Sequence, residues 1–205
     1  PNTTGATRTG TLIVGKQSVT VTQPASTGAG SELLTNPGFE SGSSGWVQSP
    51  TNIITTTASS GASARSGVGL AWLSGYNNAN DLLYQQVTIP SDATSAVFSF
   101  WYRITTEEPP VGDYDFMRVT VNNASGTALG SAVTLSNRNA TSGWVQSSSF
   151  DLSQFRGQTI RLTFQATSDS SLITSFFVDD VSLAVTRGSS VVEPTGFWAG
   201  VGESG

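Results

Sequence analysis

The stretch LLTNPGFE at residues 33–40 and its counterpart FFVDDVSL at residues 176–183 decide the fold of this chain. Each joins apolar side chains to carboxylates, with Glu40 at the end of the first and Asp179 and Asp180 in the middle of the second. Between the two stretches, strand signals recur and are separated by turn-rich segments, and no convincing helical period is present. The two stretches therefore predict the two ends of one β-sandwich.

The strongest strand signals lie at residues 82–89, 96–104, 116–121, 159–166 and 176–185. Successive side chains of a strand point to opposite faces, so the second segment has Phe98 and Phe100 on one face and Trp101 on the other. Large side chains on both faces predict a central strand. In the fourth segment Ile160 alternates with Arg161, which predicts one dry face and one wet face. These patterns predict an all-β fold.

The phrase LLTNPGFESG, followed by GW and closed by FFVDDVSL, resembles the galactose-binding-like jelly rolls of secreted bacterial glycosidases and peptidases, including the carbohydrate-binding modules. The resemblance covers residues 32–186 and implies a jelly-roll β-sandwich whose first and last strands lie side by side. It also implies a structural calcium ion at their meeting point, with Glu40 and Asp180 as ligands and Asp179 as an alternative. The plainer interpretation of these carboxylates is that they are ordinary polar groups at strand ends.

Composition limits the classes of function. The net charge is −5 with one lysine, Lys16, and eight arginines, which argues against nucleic acid because phosphate binding needs clustered basic residues. No apolar run reaches the ~18 residues of a membrane span. Without cysteine or histidine, thiolate sites, histidine metal sites and Ser-His-Asp catalysis are excluded. A glycosidase using two carboxylates stays open, but the acidic residues show no recognisable pairing, so no enzyme is predicted.

The segments outside the sandwich predict a second kind of function. Residues 8–23, RTGTLIVGKQSVTVTQ, alternate apolar and polar residues around Gly15-Lys16 and predict a β-hairpin, within an isolated segment 1–23. The hairpin resembles the last hairpin of a BACON-type immunoglobulin-like domain. A linker at 24–31 follows it, and a tail at 187–205 ends the chain. Residues 8–23 and 191–201 are candidates for self-association, because an unpaired hairpin and an aromatic tail favour docking.

Sugar binding needs aromatic faces flanked by groups that hydrogen-bond to hydroxyls. The most suggestive residues are Trp72, Tyr76, Asn77, Asn78 and Asn80, with Arg103 and Tyr114 as further contributors. The alternative for Trp72 and Tyr76 is packing in the core or at its rim. Asp113 and Asp115, in an acidic loop, are candidates for a second cation site, although such residues more often solvate a loop.

These observations favour a non-catalytic extracellular module that binds carbohydrate or a cell-surface polymer. Glycan is the expected partner, calcium the expected structural ion, and a secreted bacterial protein the expected context. A second hypothesis is a structural subunit of an extracellular filament or surface layer that donates its terminal hairpin or tail to the next subunit. A third is an accessory domain of a secreted peptidase.

Overall fold

The computed structural model describes residues 8–23 and 30–188, which belong to two compact units. The first contains a hairpin of β1 (Arg8–Val14) and β2 (Gln17–Gln23), paired antiparallel with Leu12 opposite Val19. Gly15 turns the chain at φ +64°, a conformation that glycine adopts without strain. Leu12 and Val19 are both more than half exposed. Residues 24–29 of the predicted linker and 189–205 of the predicted tail, including 191–201, lie outside the described residues.

The second unit, the body, has two antiparallel sheets. In chain order the strands are β3 (Ser31–Glu32), β4 (Val47–Ser49), β5 (Ile54–Thr56), β6 (Gly69–Ser74), β7 (Asn80–Thr88), β8 (Ala93–Thr106), β9 (Phe116–Asn123), β10 (Ala128–Ser136), β11 (Val145–Gln146), β12 (Phe150–Asp151), β13 (Thr159–Thr167) and β14 (Thr174–Arg187). One sheet has the order β10-β9-β13-β7-β4. The other has the order β11-β8-β14-β6-β5, with β12 beside β8 and β3 beside β14.

The helical parts are short. The helix α1 (Thr57–Ser60) follows β5, and two single 3-10 turns lie at Asn137–Asn139 and Ser153–Phe155. No helix in the described part of the chain is both long and apolar enough to cross a membrane. The strands therefore carry the fold, and the prediction of an all-β jelly-roll sandwich is confirmed.

The core lies between the two sheets, where the inward side chains of each strand meet. Phe98 and Phe100 of β8 are fully buried and contact Phe164 of β13, whose ring meets Phe100 edge-on at 5.1 Å between centroids. Trp46 packs on Phe39 at 5.1 Å and closes this aromatic cluster. Large aromatic side chains at alternating positions fill the space between sheets about 10 Å apart. The central position predicted for residues 96–104 agrees with β8 lying inside its sheet.

The two stretches that predict the fold lie against each other. Glu32 pairs with Ala184 across β3 and β14, and the amide of Leu33 donates to the carbonyl of Leu183 at 3.1 Å. The amide of Val181 donates to the carbonyl of Pro37 at 3.0 Å. The first strand of the body therefore runs beside the last, and the resemblance to galactose-binding-like jelly rolls is confirmed for the fold.

Candidate functional site

The carboxylates of the two signature stretches are held by main-chain amides. Glu40 accepts hydrogen bonds from the amides of Val68 and Gly69, at 3.0 and 2.8 Å. Asp179 is fully buried and accepts from the amides of Arg65 and Ser66. Burial raises the pKa of Asp179 to about 6, against the opposing effect of these amide hydrogen bonds. Glu40 and Asp179 thus fix the turn that leads into β6.

Asp180 is partly buried, whereas Glu40 is exposed. Asp180 adopts a left-handed φ of 42°, forms an ion pair with Arg65 at 2.5 Å and accepts from the hydroxyl of Ser66 at 2.8 Å. Hard carboxylate oxygens suit calcium, so the donor chemistry of Glu40 and Asp180 fits the ion. In this arrangement the Arg65 guanidinium supplies positive charge at Asp180. Calcium at Glu40, Asp180 or Asp179 stays a prediction.

Four loops meet at one end of the sandwich, and we call this surface the loop end: residues 75–79, 107–115, 137–141 and 168–173. Hydrogen bonds of the Asp169 main chain connect three of them. The amide of Asn78 donates to the Asp169 carbonyl at 2.6 Å, and the amide of Asp169 donates to Oδ1 of Asp115 at 2.9 Å. Asn137 accepts from the amide of Tyr114 at 2.9 Å and thereby joins the fourth loop. The sequence-predicted residues Tyr76, Asn77, Asn78 and Tyr114 all lie here.

A cleft of about 80 Å³ opens beside this surface, at the edge where β5 and β6 face β4 and β7. Its lining is Pro50, Asn52, Ile53, Trp72, Ser74, Gly75, Tyr76 and Asp81. The hydroxyl of Ser74 is enclosed and has no hydrogen-bond partner among the described residues. The cleft therefore combines aromatic carbon with polar groups.

Tyr76 is the exposed aromatic residue of the cleft, with 44% of its surface accessible. Its hydroxyl donates to Oδ1 of the buried Asp81 at 2.5 Å, while Oδ2 of Asp81 accepts from the Ser74 amide at 2.7 Å. The hydrogen bond to Asp81, with smaller contributions from burial and from the Asp81 charge, raises the pKa of Tyr76 to about 12. The ring is thus held in one orientation while much of its surface faces solvent.

Trp72 lines the same cleft but also belongs to a packed layer. Its ring stacks on Phe177 at 6.0 Å, and its indole Nε1 donates to the hydroxyl of Ser175 at 3.0 Å. A Cβ on Gly75 would lie 2.5 Å from Trp72 Nε1, so the backbone at Gly75 covers the indole edge. Trp72 therefore supplies the wall of the cleft more than a free stacking face, which partly matches its alternative interpretation as rim packing.

Arg103 and Asn80 lie on strands next to the loop end, on the outer faces of the two sheets. Arg103 lies opposite Phe177, which in turn lies opposite Trp72, so the three form a row across β8, β14 and β6 on the outer face of that sheet. The side chain of Asn80 accepts from Gln165 at 3.2 Å on the outer face of the other sheet. Asn77 lies at the loop end and donates to the carbonyl of Ser170 at 3.1 Å. Tyr114 is 41% exposed there.

Three carboxylates converge at the loop end: oxygens of Glu108, Asp115 and Asp169 all lie within 4.8 Å of one another. The Asp115 carboxyl group is fully buried. Desolvation, with the charges of Asp169 and Asp115, raises the pKa of Glu108 above its usual range. Asp113, paired with Asp115 in the sequence-based hypothesis, instead accepts from the Ser136 hydroxyl and lies 3.7 Å from Arg138. Sequence reasoning missed Glu108 and Asp169 because the two residues lie far apart in the chain.

The outer face of the β10-β9-β13-β7-β4 sheet is a second polar surface with an aromatic ring. Tyr84 of β7 lies under the Arg161 guanidinium at 4.7 Å, and Arg161 donates to Gln86 at 3.1 Å. Sequence reasoning did not single out Tyr84. The signal was present in the alternation of β7, where Tyr84 and Gln86 share the face opposite the buried Leu83 and Gln85.

A larger cleft of about 320 Å³ lies at the other open edge of the sandwich, between β10 and the segment around β12. Phe150 and Phe155 contribute to it, as do aliphatic and main-chain atoms. Asp151 lines it but accepts from the amide and hydroxyl of Ser153, and these hydrogen bonds lower its pKa. The carboxylate is therefore already used, which makes this cleft less suited to a polyhydroxylated ligand than the one at Tyr76.

Comparison with solved structures places the body among β-sandwich modules. TmCBM61, solved with β-1,4-galactotriose, superimposes with a TM-score of 0.55 at 19% identity, covering 77% of this chain and 99% of that one. The K3 cleaved adhesin domain of Lys-gingipain from Porphyromonas gingivalis w83 gives 0.49 at 18% identity, covering 75% and 99%. The CBM22-1 xylan-binding domain of Paenibacillus barcinonensis Xyn10C gives 0.48 at 16% identity, covering 78% and 97%.

No protein-family model matches this chain, and no curated protein matches it in sequence. At 19% identity the similarity to TmCBM61 is one of fold. The body thus shares the jelly-roll β-sandwich fold of TmCBM61. The resemblance of residues 8–23 to a BACON-type hairpin stays a prediction.

Proposed function

We propose that the body is a non-catalytic carbohydrate-binding module that binds a glycan at the cleft beside Tyr76. The observation that carries the proposal is the combination of Tyr76, Asp81 and Ser74 in one cleft. Sugar rings present C–H groups on one face and hydroxyls around the edge, and they are bound by aromatic rings flanked by hydrogen-bonding groups. Tyr76 supplies a ring fixed by Asp81, and the enclosed hydroxyl of Ser74, in the lining, has no partner among the described residues.

The size of the cleft favours one end of a glycan or one residue of it. About 80 Å³ accepts part of a sugar ring and leaves the rest of the chain on the protein surface. Asn52 lines the cleft and Asn77 directly follows Tyr76 in the sequence; both are exposed and offer amide groups to further hydroxyls. Tyr114, on the other side of the loop at Asp169, is available for a second sugar unit.

The carboxylates favour binding over hydrolysis. A retaining glycosidase places its two carboxyl groups about 5–5.5 Å apart and an inverting enzyme about 6.5–9.5 Å apart, with both groups in contact with substrate. The oxygens of Glu108, Asp115 and Asp169 lie within 4.8 Å of one another, and Asp115 is fully enclosed. Asp81 at the cleft is also buried and already accepts two hydrogen bonds.

An extracellular location accords with this proposal, because the glycans of cell surfaces and cell walls lie outside the cell. The chain keeps few charges, 11% of residues, and has no cysteine, so hydroxyl and amide groups provide its surface polarity.

The alternative of a self-assembling subunit rests on the hairpin. Exposed Leu12 and Val19 support it, but no partner strand for β1 or β2 other than each other lies within the described residues.

The test is a glycan array, followed by titration calorimetry with the best glycan and with β-1,4-galactotriose as the first soluble probe. Tyr76→Ala is expected to weaken binding at least tenfold and to keep the wild-type circular dichroism spectrum, since 44% of the Tyr76 surface is accessible and the residue is not part of the core. Tyr84→Ala is the matched control, another half-exposed tyrosine on a different face, and is expected to bind as the wild type does. Loss of binding in Tyr84→Ala alone would move the site to the sheet face. Absence of binding to any glycan would reject the proposal.

A further inference from the structure

We propose that Glu108, Asp115 and Asp169 form a calcium site at the loop end, separate from the one that the signature stretches predict. The three residues come from different parts of the chain. Glu108 follows β8, Asp115 precedes β9, and Asp169 follows β13. The fold therefore brings carboxylates from two loops to one point, which local sequence does not require.

Two of the oxygens in this cluster have no hydrogen-bond partner. Oδ2 of Asp115 and Oε1 of Glu108 are both enclosed, and neither is bonded to any described residue. Asp115 has no accessible surface at all. Enclosed carboxylate oxygens are stable when hydrogen-bonded, paired with a positive charge or bound to a metal. The vacant acceptor positions therefore point to a ligand that is itself positively charged.

Within residues 8–23 and 30–188, no positively charged side chain takes that role. The three ion pairs of the described chain join Arg65 to Asp180, Arg138 to Asp113 and Arg187 to Asp92, and none includes the cluster. Three like charges within 4.8 Å repel one another unless a cation lies between them or protons neutralise them. A divalent cation would neutralise two of the three charges and bond to the free oxygens at the same time.

The donor set selects a hard cation. All donors are oxygens, and the chain has no histidine or cysteine to favour zinc or another softer metal. Two oxygens bound to one calcium ion at about 2.4 Å can be at most about 4.8 Å apart, and the three oxygens satisfy that limit. Calcium takes six to eight oxygens, so water or main-chain carbonyls would complete the shell.

A cation here would also fix the loops that flank the glycan cleft. The Asp169 carbonyl accepts from Asn78, two residues after Tyr76, and the Ser168 hydroxyl donates to the carbonyl of Tyr76 at 2.8 Å. Asp115 adjoins Tyr114 in the sequence. The site is argued from its own oxygens and does not depend on glycan binding, so it stands or falls independently of the proposed function.

The experiment is calorimetric titration of calcium chloride into the full chain after treatment with EGTA and gel filtration. Glu108→Gln and Asp115→Asn are expected to lose one equivalent of bound calcium or to bind it at least tenfold more weakly. Glu107→Gln, the exposed neighbour, is expected to bind as the wild type does. Asp180→Asn is expected to keep the equivalent of calcium bound at the loop end, because any ion at Glu40 and Asp180 would occupy a different site.

Circular dichroism of each variant checks that it folds. If Asp115→Asn does not fold, Glu108→Gln decides, because Glu108 is only partly buried and its amide replacement has the same shape. Two outcomes would overturn the site: a wild type that binds no calcium, or a folded Glu108→Gln variant that keeps every equivalent at wild-type affinity. Either would mean that protons or water satisfy the enclosed oxygens.

Discussion

The carboxylate of Glu40 accepts a 2.8 Å hydrogen bond from the main-chain amide of Gly69, at the start of β6. Glu40 lies at the end of the first signature stretch, so this bond ties that stretch to a strand of the sheet that also contains β14. The approach is very close: a Cβ on Gly67 would lie 2.3 Å from the Glu40 carboxyl carbon. Gly67 therefore leaves the space that the Glu40 carboxylate occupies beside the turn.

Gly67→Ala is expected to destabilise the body by about 2 kcal/mol, because the new methyl group would displace the Glu40 carboxylate and because φ at Gly67 is +58°. Gly61→Ala is the matched control. It has a similar φ of +68° but no heavy atom within 4 Å of the new Cβ, so about 1 kcal/mol of backbone strain alone is expected. Urea unfolding of both variants measures the difference. Equal losses would show that the contact with Glu40 contributes nothing.

The ion pair of Arg65 with Asp180 gives a second prediction. Arg65 also lies over the ring of Trp101, 4.1 Å from its centroid. Because the paired side chains are 38% and 26% exposed, Arg65→Gln is expected to cost only about 1–2 kcal/mol in the presence of chelator. If calcium binds Glu40 and Asp180 as the resemblance predicts, excess calcium is expected to reduce the difference in unfolding free energy between the wild type and Arg65→Gln. The ion would replace the positive charge that the substitution removes. If urea unfolding gives the same difference in free energy with calcium as with chelator, the result would count against that site.

The fold could be predicted from the sequence because period-two alternation and the signature stretches are both local signals. Phe98 and Phe100 alternate with half-buried residues, and burial in the structure follows that alternation. The signature stretches lie side by side because Glu32 satisfies the amides of Leu34 and Leu183 through the same oxygen, at 2.8 and 2.9 Å. A resemblance based on these residues therefore carries the arrangement of the two strands with it.

The candidate site could be predicted only in part, because it depends on contacts between loops. Tyr76 and Tyr114 lie at the same end of the sandwich, yet the loop at Asp169 that connects their segments gives no sequence signal of its own. Strand register places Arg103 on the outer face beside Phe177, so its contribution to the same site stays a prediction. Glu108 meets Asp169 only after β8 and β13 have joined their sheets.

The pKa of Tyr76 leads to a prediction about pH. The hydrogen bond to Asp81 raises the pKa of the Tyr76 phenol to about 12, against an ordinary value of 10.0. A raised pKa in the folded state means that the hydroxyl contributes its stability fully below about pH 10 and loses it as pH rises towards 12. The free energy of unfolding of the wild type relative to Tyr76→Phe is therefore expected to be constant from pH 7 to 9 and to fall at pH 11. A constant difference up to pH 11 would contradict the hydrogen bond to Asp81.

The aromatic cluster of the core gives the largest predicted loss. Phe164 is fully buried, lies 6.3 Å from Phe98 and 5.1 Å from Phe100 between ring centroids, and joins the two sheets. Phe164→Ala is expected to cost about 3–5 kcal/mol, because it removes this contact and leaves a cavity that the flanking strands cannot close. Gln165→Ala, on the opposite face of the same strand, is expected to cost less than about 1 kcal/mol. Similar losses in urea unfolding would mean that the backbone of β13, and not packing between the sheets, determines stability there.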